Sequence, residues 1–330
     1  MLRGPEALDY VDRLVTRNMH KVAVGRVAYA VWCNDDGQVL DDGTLFRLAD
    51  DDYRLCAQER HLDWLHTNAL GFAVTVEEET DAVAALAVQG PTSCAVLRDM
   101  GLDGIETLKP FGLREVTLAG RPLLVSRTGY TGDLGYELWC DNDAALDLWD
   151  ALFEAGRLRG IRAIGSAALE TARIEAGFLL ADVDFTPAEV TVRAGHTRSP
   201  LELGLEWLVH FSKPNFNGRR ALLAEANRGP RHRLVKLDIE GNKTACNAYI
   251  YNGRRKVVGT VTSAAWSPIC KANVALAMLD APYGEPGDSL YAEIFYQREL
   301  KWHRVMARAT VVEGAFFDPP RRRLTPPGDF

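Results

Sequence analysis

The sequence lacks most of the motifs that would point at once to a familiar reaction. It contains no apolar run long enough for a transmembrane helix and no signal-peptide pattern. It has neither a G-x-x-x-x-G-K-[ST] loop nor a G-x-G-x-x-G fingerprint after a predicted strand, so nucleotide and dinucleotide chemistry are not indicated. A G-x-S-x-G element, which would suggest a hydrolase, is also missing. These absences predict a cytoplasmic protein with no membrane attachment.

Cysteine and histidine are present but have no ligand spacing. None of the six cysteines forms a C-x-x-C pair, and most lie in apolar runs, so we expect buried free thiols in a reducing compartment. The seven histidines show no H-E-x-x-H and no pairing with cysteine, so no metal site is predicted. His61 and His66 share a predicted helix but do not share a face, and we expect both at the surface.

Positive charge is scarce, because the 330-residue chain has a formal net charge of −7. No long basic stripe offsets the excess of acidic residues, so a general nucleic-acid binder is not expected. The one basic cluster, Arg321–Arg323, lies beside prolines near the C-terminus and is predicted to be solvated. With 47% hydrophobic and 25% charged residues, the chain has an ordinary globular composition and room for two or three domains.

Hydrophobic periodicity divides the chain into two parts. Before residue 220, helical and strand patterns alternate irregularly, as in an α+β fold. From His232 onward, short apolar runs separated by Gly, Pro and Asn turns predict the strands of a barrel or sandwich. We therefore predict an α+β region over 1–220, a small β domain over 221–318 and a proline-rich tail over 319–330.

The most informative stretch runs from Ser126 to Leu138 and reads SRTGYTGDLGYEL. It lies between two predicted strands, and its glycines allow a sharp turn and a close approach of the backbone to a ligand. Tyr130 and Glu137 flank this turn. Together they would suit a flat, nitrogen-rich ring, because the tyrosine can pack against it while the carboxylate accepts its N–H donors. The alternative is an ordinary turn with an exposed tyrosine and glutamate.

This stretch closely resembles the TGYTGExGxE segment of the aminomethyltransferase (glycine-cleavage T-protein) superfamily, which binds tetrahydrofolate. Further segments resemble family motifs in the same order: GRVAYAVWCNDDGQVLDD at 25–42, ALAVQGP at 85–91, RIEAG at 173–177, PLELGLEW at 200–207 and GTVTSAAWSP at 259–268. The resemblance implies an α+β, multi-domain ring with two intertwined N-terminal subdomains, a ferredoxin-like part and a C-terminal β-barrel. It also implies tetrahydrofolate as the cofactor.

Three departures from the family pattern carry information. The chain begins at a helix that is not the first of that pattern, so we expect a truncated N-terminus and a sheet short of one strand. The family's GARD sequence is absent, and Leu169 and Glu170 occupy its last two positions, so an arginine commonly near the ligand is missing. A longer segment at 181–199 replaces a short YGxDxDE element. The last two departures lie where substrate recognition is expected, and they favour a member other than the glycine-cleavage enzyme.

The resemblance implies that Asp42 is the catalytic residue, beside the N5/N10 edge of folate. A carboxylate there can orient the pterin, accept a proton or stabilise a cationic centre. A slip of one residue in register would give this role to Asp41, and the two aspartates could instead be a solvated pair. Tyr29 is implied to lie near the reactive edge, or else to be a half-buried strand residue. Tyr130 and Glu137 are implied to contact the pterin ring.

Three more residues are predicted to bind the cofactor. Trp207 would add an aromatic wall, with a core tryptophan as the alternative. Arg127 and Arg173 would pair with carboxylates of folate or of substrate. For Arg173 the alternative is a salt bridge with Glu170, one helical turn earlier.

The resemblance implies a tetrahydrofolate-dependent transferase that takes a one-carbon unit from a small donor. The preferred interpretation is demethylation of an O-, S- or N-methyl substrate, giving 5-methyltetrahydrofolate. The alternatives are T-protein-like aminomethyl transfer, giving 5,10-methylenetetrahydrofolate, and a non-catalytic folate-binding protein that assists iron–sulfur cluster assembly. The acidic residue at Asp42 and the lack of a cysteine-containing motif in the C-terminal part favour an enzyme. A separate redox or carrier protein is a candidate partner, because the chain has no dinucleotide fingerprint of its own.

Overall fold

Three sheets organise the chain in the computed structural model, which describes residues 1–193, 195–253 and 255–326. Two are open antiparallel sheets, and the third closes into a barrel. The helices are α1 (Ala7–Leu14), α2 (Leu62–Ala69), α3 (Ser93–Asp99), α4 (Ala145–Gly156), α5 (Ser166–Ala176) and α6 (Arg219–Arg228). Within the described ranges, no helix combines the length and apolar character that crossing a membrane would require.

The first sheet contains the strand pair that carries the predicted catalytic residue. Its strands, in spatial order, are β2 (Arg26–Cys33), β3 (Val39–Arg47), β4 (Asp52–Ala57), β1 (Leu2–Arg3) and β5 (Thr75–Val76). A hairpin turn joins β2 and β3. It is held by Asn34, whose Oδ1 accepts the backbone N–H groups of Asp36 at 3.1 Å and Gln38 at 2.9 Å.

Alternation along β2 and β3 decides which side chains share a face of this sheet. Tyr29 lies opposite Thr44, and Asp42 precedes Thr44 by two residues, so these three side chains project from one face. Asp41 lies opposite Trp32 and belongs to the other face, where Trp32 is buried in a core shared with α1. Neighbouring aspartates therefore face different surroundings.

The second sheet carries the glycine-rich stretch. Its strands, in spatial order, are β6 (Val83–Gln89), β9 (Gly135–Asp141), β8 (Arg121–Ser126) and β7 (Leu113–Leu118). Leu138 belongs to a core with residues of α3 and α4 on one face of the sheet. Its neighbours Glu137 and Trp139 therefore point to the opposite face.

The face of the second sheet that carries Glu137 packs against the face of the first sheet that carries Asp42. The ring of Phe46 lies edge-on to Trp139, with centroids 5.1 Å apart and an interplanar angle of 77°. The guanidinium of Arg54, paired with Phe46 across β3 and β4, lies 5.9 Å from the Trp139 ring centroid. The side chains of Asp42 and Glu137 consequently extend from facing strands of two packed sheets.

The third sheet is the predicted C-terminal barrel. Its strands, in spatial order around the closed barrel, are β10 (His232–Ile239), β13 (Ala272–Asp280), β12 (Lys256–Ser267), β11 (Tyr249–Asn252), β14 (Leu290–Arg298) and β15 (Lys301–Val312). Helix α5 docks on its outside, where Ile174 packs with Val274 and Leu276. The α+β architecture with a C-terminal barrel is confirmed.

Three surface and burial predictions are corrected by the structure. Arg321 is partly exposed as predicted, at 41%, but it is not free in solvent, because its guanidinium forms ion pairs of 2.6 and 2.7 Å with the carboxylate of Asp133 in the glycine-rich stretch. Cys246 is exposed, whereas the other cysteines are buried or half-buried free thiols. The side chain of His61 is buried rather than at the surface, and His66 is exposed as expected. Contacts between segments distant in the sequence explain both the arginine and the histidine.

Candidate active site

Asp42 and Tyr29 form the polar pair at the centre of the candidate site. The phenol of Tyr29 donates a 2.7 Å hydrogen bond to Oδ2 of Asp42. Burial raises the pKa of Asp42 to about 7, with a further increase from the charge of Asp41, although the hydrogen bond from Tyr29 works in the other direction. Burial and the charge of Asp42 raise the pKa of Tyr29 well above its ordinary value, so the phenol keeps its proton. Near neutral pH, Asp42 can therefore gain or lose a proton beside a fixed donor.

Glu137 is held by hydroxyl groups on its own sheet. Thr128 donates to Oε2 of Glu137 at 2.6 Å, and Ser126, which lies opposite Glu137 in the register, is 3.4 Å from the same oxygen. Both of these hydrogen bonds reach Oε2, so within the described residues Oε1 is available to accept another donor. Burial raises the pKa of Glu137 despite these hydrogen bonds. The arrangement provides a preoriented acceptor.

Glu137 lies close enough to the first sheet to influence it electrostatically. Burial raises the pKa of Cys56 to about 11, and the charge of Glu137 contributes to that increase. Cys56 is opposite Thr44, which is itself opposite Tyr29, so all three belong to the face of the first sheet that carries Asp42. The carboxylates of Asp42 and Glu137 therefore approach one inter-sheet space from opposite sides.

Tyr130 is fixed at the end of the glycine-rich loop. Its ring stacks on Phe178 with centroids 5.6 Å apart, and its phenol donates to the carbonyl oxygen of Leu179. Burial raises the pKa of Tyr130, and the charge of Asp42 adds to this against the opposing charge of Arg173. Tyr130 also contributes to the raised pKa of Tyr29. These couplings place Tyr29, Asp42 and Tyr130 in one electrostatic neighbourhood.

The glycines of the loop leave room for a side chain of the protein itself. A Cβ at Gly129 or Gly135 would lie 2.0 or 2.1 Å from Oε1 of Gln89. The amide of Gln89 donates to the carbonyl oxygens of Thr128 at 3.2 Å and Tyr136 at 3.3 Å. Gln89 therefore binds both ends of the loop, and the two glycines permit that close approach.

The two predicted arginine ligands are engaged with protein acceptors. The buried Arg127 donates to the carbonyl oxygen of Leu108 at 2.9 Å and to that of Leu324 in the C-terminal segment. Arg173 is fully buried and forms an ion pair of 2.5 Å with Asp184 and another with Glu170. The ion pair with Glu170 is the alternative predicted for Arg173 from the spacing of the two residues, one helical turn apart. In this structure both guanidinium groups organise the protein around the loop.

Trp207 lies at the outer edge of the site. Its ring centroid is 6.1 Å from that of Tyr29, and the residue is 57% exposed, so it is not a core tryptophan. The ring is therefore free to contact a bound molecule while resting against Tyr29.

A cavity of about 570 Å³ lies next to the contact between the first and second sheets. Cys56 and Trp139 line it, and both also lie at the contact between the two sheets. Asp42, Tyr130 and Glu137 do not line this cavity. Glu59 and His61 also line it.

Sequence reasoning missed a buried contact of Asp41 with His61. Oδ2 of Asp41 lies 3.1 Å from Nε2 of His61, and Asp41 is almost fully buried. Asp41 is thus neither a solvated residue nor on the face of the catalytic candidate. Nothing in the spacing of the two residues signals their contact, since it depends on where the chain between β4 and α2 lies against the sheet.

Comparison with known proteins gives the family. The family described as "GCVT N-terminal domain" matches residues 1–213, and the one described as "Glycine cleavage T-protein C-terminal barrel domain" matches residues 232–318. The chain therefore belongs to the GCVT aminomethyltransferase family, a family of transferases that use tetrahydrofolate. This confirms the predicted superfamily.

Individual relatives differ in how much of their own length is matched. An aminomethyltransferase of Halothermothrix orenii is 33% identical over 88% of this chain and 80% of its own. A trimethylamine-oxide aldolase of Ruegeria pomeroyi is 36% identical over 98% of this chain, but the match spans only 41% of that longer protein. The crystal structure of glycine cleavage system aminomethyltransferase T from Bartonella henselae superposes with a TM-score of 0.81 at 26% identity, covering 96% of this chain and 83% of that one.

Proposed function

We propose that this protein moves a methyl group from a small N-methylated substrate to tetrahydrofolate, giving 5-methyltetrahydrofolate. The observation that carries the proposal is the Tyr29–Asp42 pair, a carboxylate with a pKa of about 7 fixed by a protonated phenol. A group that titrates near the working pH can take a proton from a nucleophile without a large free-energy cost. The trimethylamine-oxide aldolase relative supports an N-methyl donor, because its name specifies such a substrate and its match spans 98% of this chain.

The residues of the site fit a reduced pterin. The free oxygen Oε1 of Glu137 suits the ring N–H donors, and the ring of Tyr130, stacked on Phe178, suits packing beside the pterin. Trp207, exposed beside Tyr29, would close the outer edge. Arg127 and Arg173 would act indirectly, by holding the glycine-rich loop and the neighbouring segment in place.

When bound, tetrahydrofolate supplies the N5 nucleophile that receives the methyl group. For a donor whose methylated nitrogen carries a positive charge, the carbon–nitrogen bond would break with its electron pair remaining on that nitrogen, so that no further proton is needed to neutralise it. Asp42 would accept the proton that N5 gives up, and Tyr29 would stabilise the carboxylate before this transfer by donating to Oδ2. The half-buried position of both groups limits competition from water.

A second candidate function is transfer of a one-carbon unit to tetrahydrofolate at the oxidation level of an aldehyde rather than as a methyl group. The word aldolase in the name of the Ruegeria pomeroyi relative describes release of an aldehyde, and a one-carbon aldehyde combines with tetrahydrofolate to give the 5,10-methylene product and water. In this version the one-carbon unit reaches the site from a separate enzyme or on a carrier protein. Asp42 would then stabilise a cationic centre rather than accept the N5 proton.

Single-turnover assays separate these candidates. The protein is incubated with tetrahydrofolate and trimethylamine oxide, or with other N-methylated amines, and the folate product is identified by mass. We expect 5-methyltetrahydrofolate. A 5,10-methylene product would favour the second candidate, and tight folate binding without any turnover across the donor panel would favour a non-catalytic folate-binding protein.

A further inference from the structure

His61 joins two carboxylates that belong to separate parts of the chain. Its Nε2 lies 3.1 Å from Oδ2 of Asp41 in β3, and its Nδ1 lies 2.6 Å from Oε2 of Glu189 in the segment 181–193. The side chain of His61 is only 4% exposed. Because a carboxylate faces each ring nitrogen, both nitrogens must donate, which is the arrangement of an imidazolium ion.

The electrostatics of this site agree with that geometry. Burial disfavours the charged ring, but the hydrogen bonds and charges of Asp41 and Glu189 outweigh it and raise the pKa of His61. Glu189 is half-exposed, whereas Asp41 is buried, so the interaction with Asp41 is the better shielded of the two. A positive charge is therefore held behind the strand that carries Asp42.

Asp41 connects His61 to the backbone of Asp42. Its Oδ1 accepts the backbone N–H of Asp42 at 2.8 Å, and its Oδ2 accepts the backbone N–H of Glu59 at 3.2 Å. The orientation of the Asp41 carboxylate thus fixes the backbone at Asp42. Its negative charge is one cause of the raised pKa of Asp42, so a cation beside Asp41 offsets that effect.

The backbone of His61 shows that tertiary contacts determine its position. His61 precedes α2 with a φ of 48°, in the left-handed region that non-glycine residues seldom adopt. Its ring meets the edge of Trp32 at 6.1 Å and 87°, on the face of the sheet that also carries Asp41. The backbone N–H of Ala188 donates to Val39 at 2.8 Å, so the segment bearing Glu189 runs beside the start of β3.

We propose that His61 is a positioning residue for Asp42: it orients Asp41 and offsets its charge, and it ties the segment 181–193 to β3. This inference rests on the proposed function for the role of Asp42. The charged and titratable groups that face His61 are Asp41 and Glu189, and those that face Asp42 are Tyr29, Asp41 and Tyr130. Removing His61 should leave the charge of Asp41 unopposed and make ionisation of Asp42 more difficult.

The test is a direct titration of Asp42 in His61→Ala. The protein is labelled with ¹³C at aspartate carboxyl groups, and the Asp42 signal is assigned by its loss in Asp42→Asn. Without folate, we expect the midpoint of the Asp42 titration to move upward by about 0.5 to 1 pH unit in His61→Ala. The acidic limb of the kcat/KM profile should move by a similar amount, with KM for folate little changed. His66→Ala, at an exposed position on α2, is the matched control and should leave both midpoints in place.

If circular dichroism shows that His61→Ala does not fold, a second variant provides the test. Glu189→Gln removes the half-exposed partner, lowers the pKa of His61 and should move the Asp42 midpoint in the same direction by a smaller amount. An Asp42 midpoint that stays unchanged in the folded variants overturns the inference, even in an active enzyme. A shifted midpoint in a protein that transfers no one-carbon unit supports the coupling and overturns the proposed function instead.

Discussion

Phe46 and Trp139 meet edge to face at 5.1 Å, and through this contact the sheet that carries Asp42 packs against the sheet that carries Glu137. The two rings come from strands that are about 90 residues apart in the sequence. Phe46 lies on the same face of the first sheet as Asp42, and Trp139 lies on the same face of the second sheet as Glu137. The candidate site is therefore a product of how two sheets pack rather than of one local motif.

We predict that Phe46→Ala will destabilise the fold and weaken folate binding together. Phe46 is fully buried, and deleting such a ring typically costs about 3 to 5 kcal/mol. Urea unfolding gives the stability, and calorimetric titration of tetrahydrofolate gives the affinity. Phe295→Ala removes the same ring from an exposed position on the barrel and should change stability by less than about 1 kcal/mol. Unchanged folate affinity in a folded Phe46→Ala protein would contradict the proposed role of the inter-sheet space.

Asp42→Asn should abolish turnover while leaving folate binding nearly intact. The amide is similar in size and can still accept from Tyr29, but it cannot take up a proton. We expect single-turnover rates to fall by about 100-fold or more, with the folate Kd within about threefold of the wild-type value. Unimpaired turnover would show that Asp42 is not the catalytic residue. Equal loss of turnover and binding would indicate a role in folate binding alone.

The same substitution should stabilise the protein at alkaline pH. The folded-state pKa of Asp42 is about 7 against an ordinary value of 3.8, so the folded protein holds this proton more tightly than the unfolded chain. Between those two values stability falls as pH rises, because the unfolded state gives up its proton first. Asp42→Asn removes this cost and should gain roughly 1 to 3 kcal/mol at pH 8, with no gain near pH 4.

Urea midpoints measured from pH 4 to pH 9 would test that dependence. Asp150→Asn, at an exposed position on α4, is the matched control and should give a small difference that does not grow through this window. A difference for Asp42→Asn that is constant with pH would mean that Asp42 titrates normally in the folded protein.

Gly129→Ala should loosen the glycine-rich loop by displacing Gln89. The new Cβ would lie 2.0 Å from Oε1 of Gln89, so that flexible side chain must swing away and lose its hydrogen bonds to both ends of the loop. We expect a cost of about 1 to 3 kcal/mol in stability and roughly tenfold weaker folate binding. Gly165→Ala, where nothing lies within 4 Å, is the matched control.

A double-mutant cycle isolates the mechanism of that effect. If Gln89 carries the cost, Gly129→Ala should add little once Gln89→Ala is already present. Fully additive effects of the two substitutions would show that strain in the loop backbone, rather than the loss of Gln89 contacts, is responsible.

The parts of the site that were predictable are those set by local spacing and motif. The hairpin at Asn34 and the alternation along its strands bring Tyr29 and Asp42 to one face, and the observed hydrogen bond follows from that. The strands of the barrel were also predicted, because short apolar runs separated by turn residues recur from His232 onward.

The parts that were not predictable depend on contacts between distant segments. Arg173 is fixed by Asp184, and its guanidinium also donates at 2.6 Å to Ser263, which lies 90 residues away in the barrel. The side chain of His61 is buried where it contacts Asp41 of β3, 20 residues earlier in the sequence. A single sequence gives the charge of these side chains but not their partners, so it favoured a ligand for the arginine and solvent for the histidine.

The ion pair between Arg321 and Asp133 joins residues 188 positions apart. Arg322 lies over Phe178, at 5.1 Å from its guanidinium carbon to the ring centroid, and Phe178 in turn supports Tyr130. The C-terminal segment therefore contacts both Asp133 in the glycine-rich stretch and Phe178, the ring on which Tyr130 stacks. We expect that a C-terminal truncation or tag that disrupted these contacts would loosen the support of Tyr130, although it would leave every side chain of the candidate site unchanged.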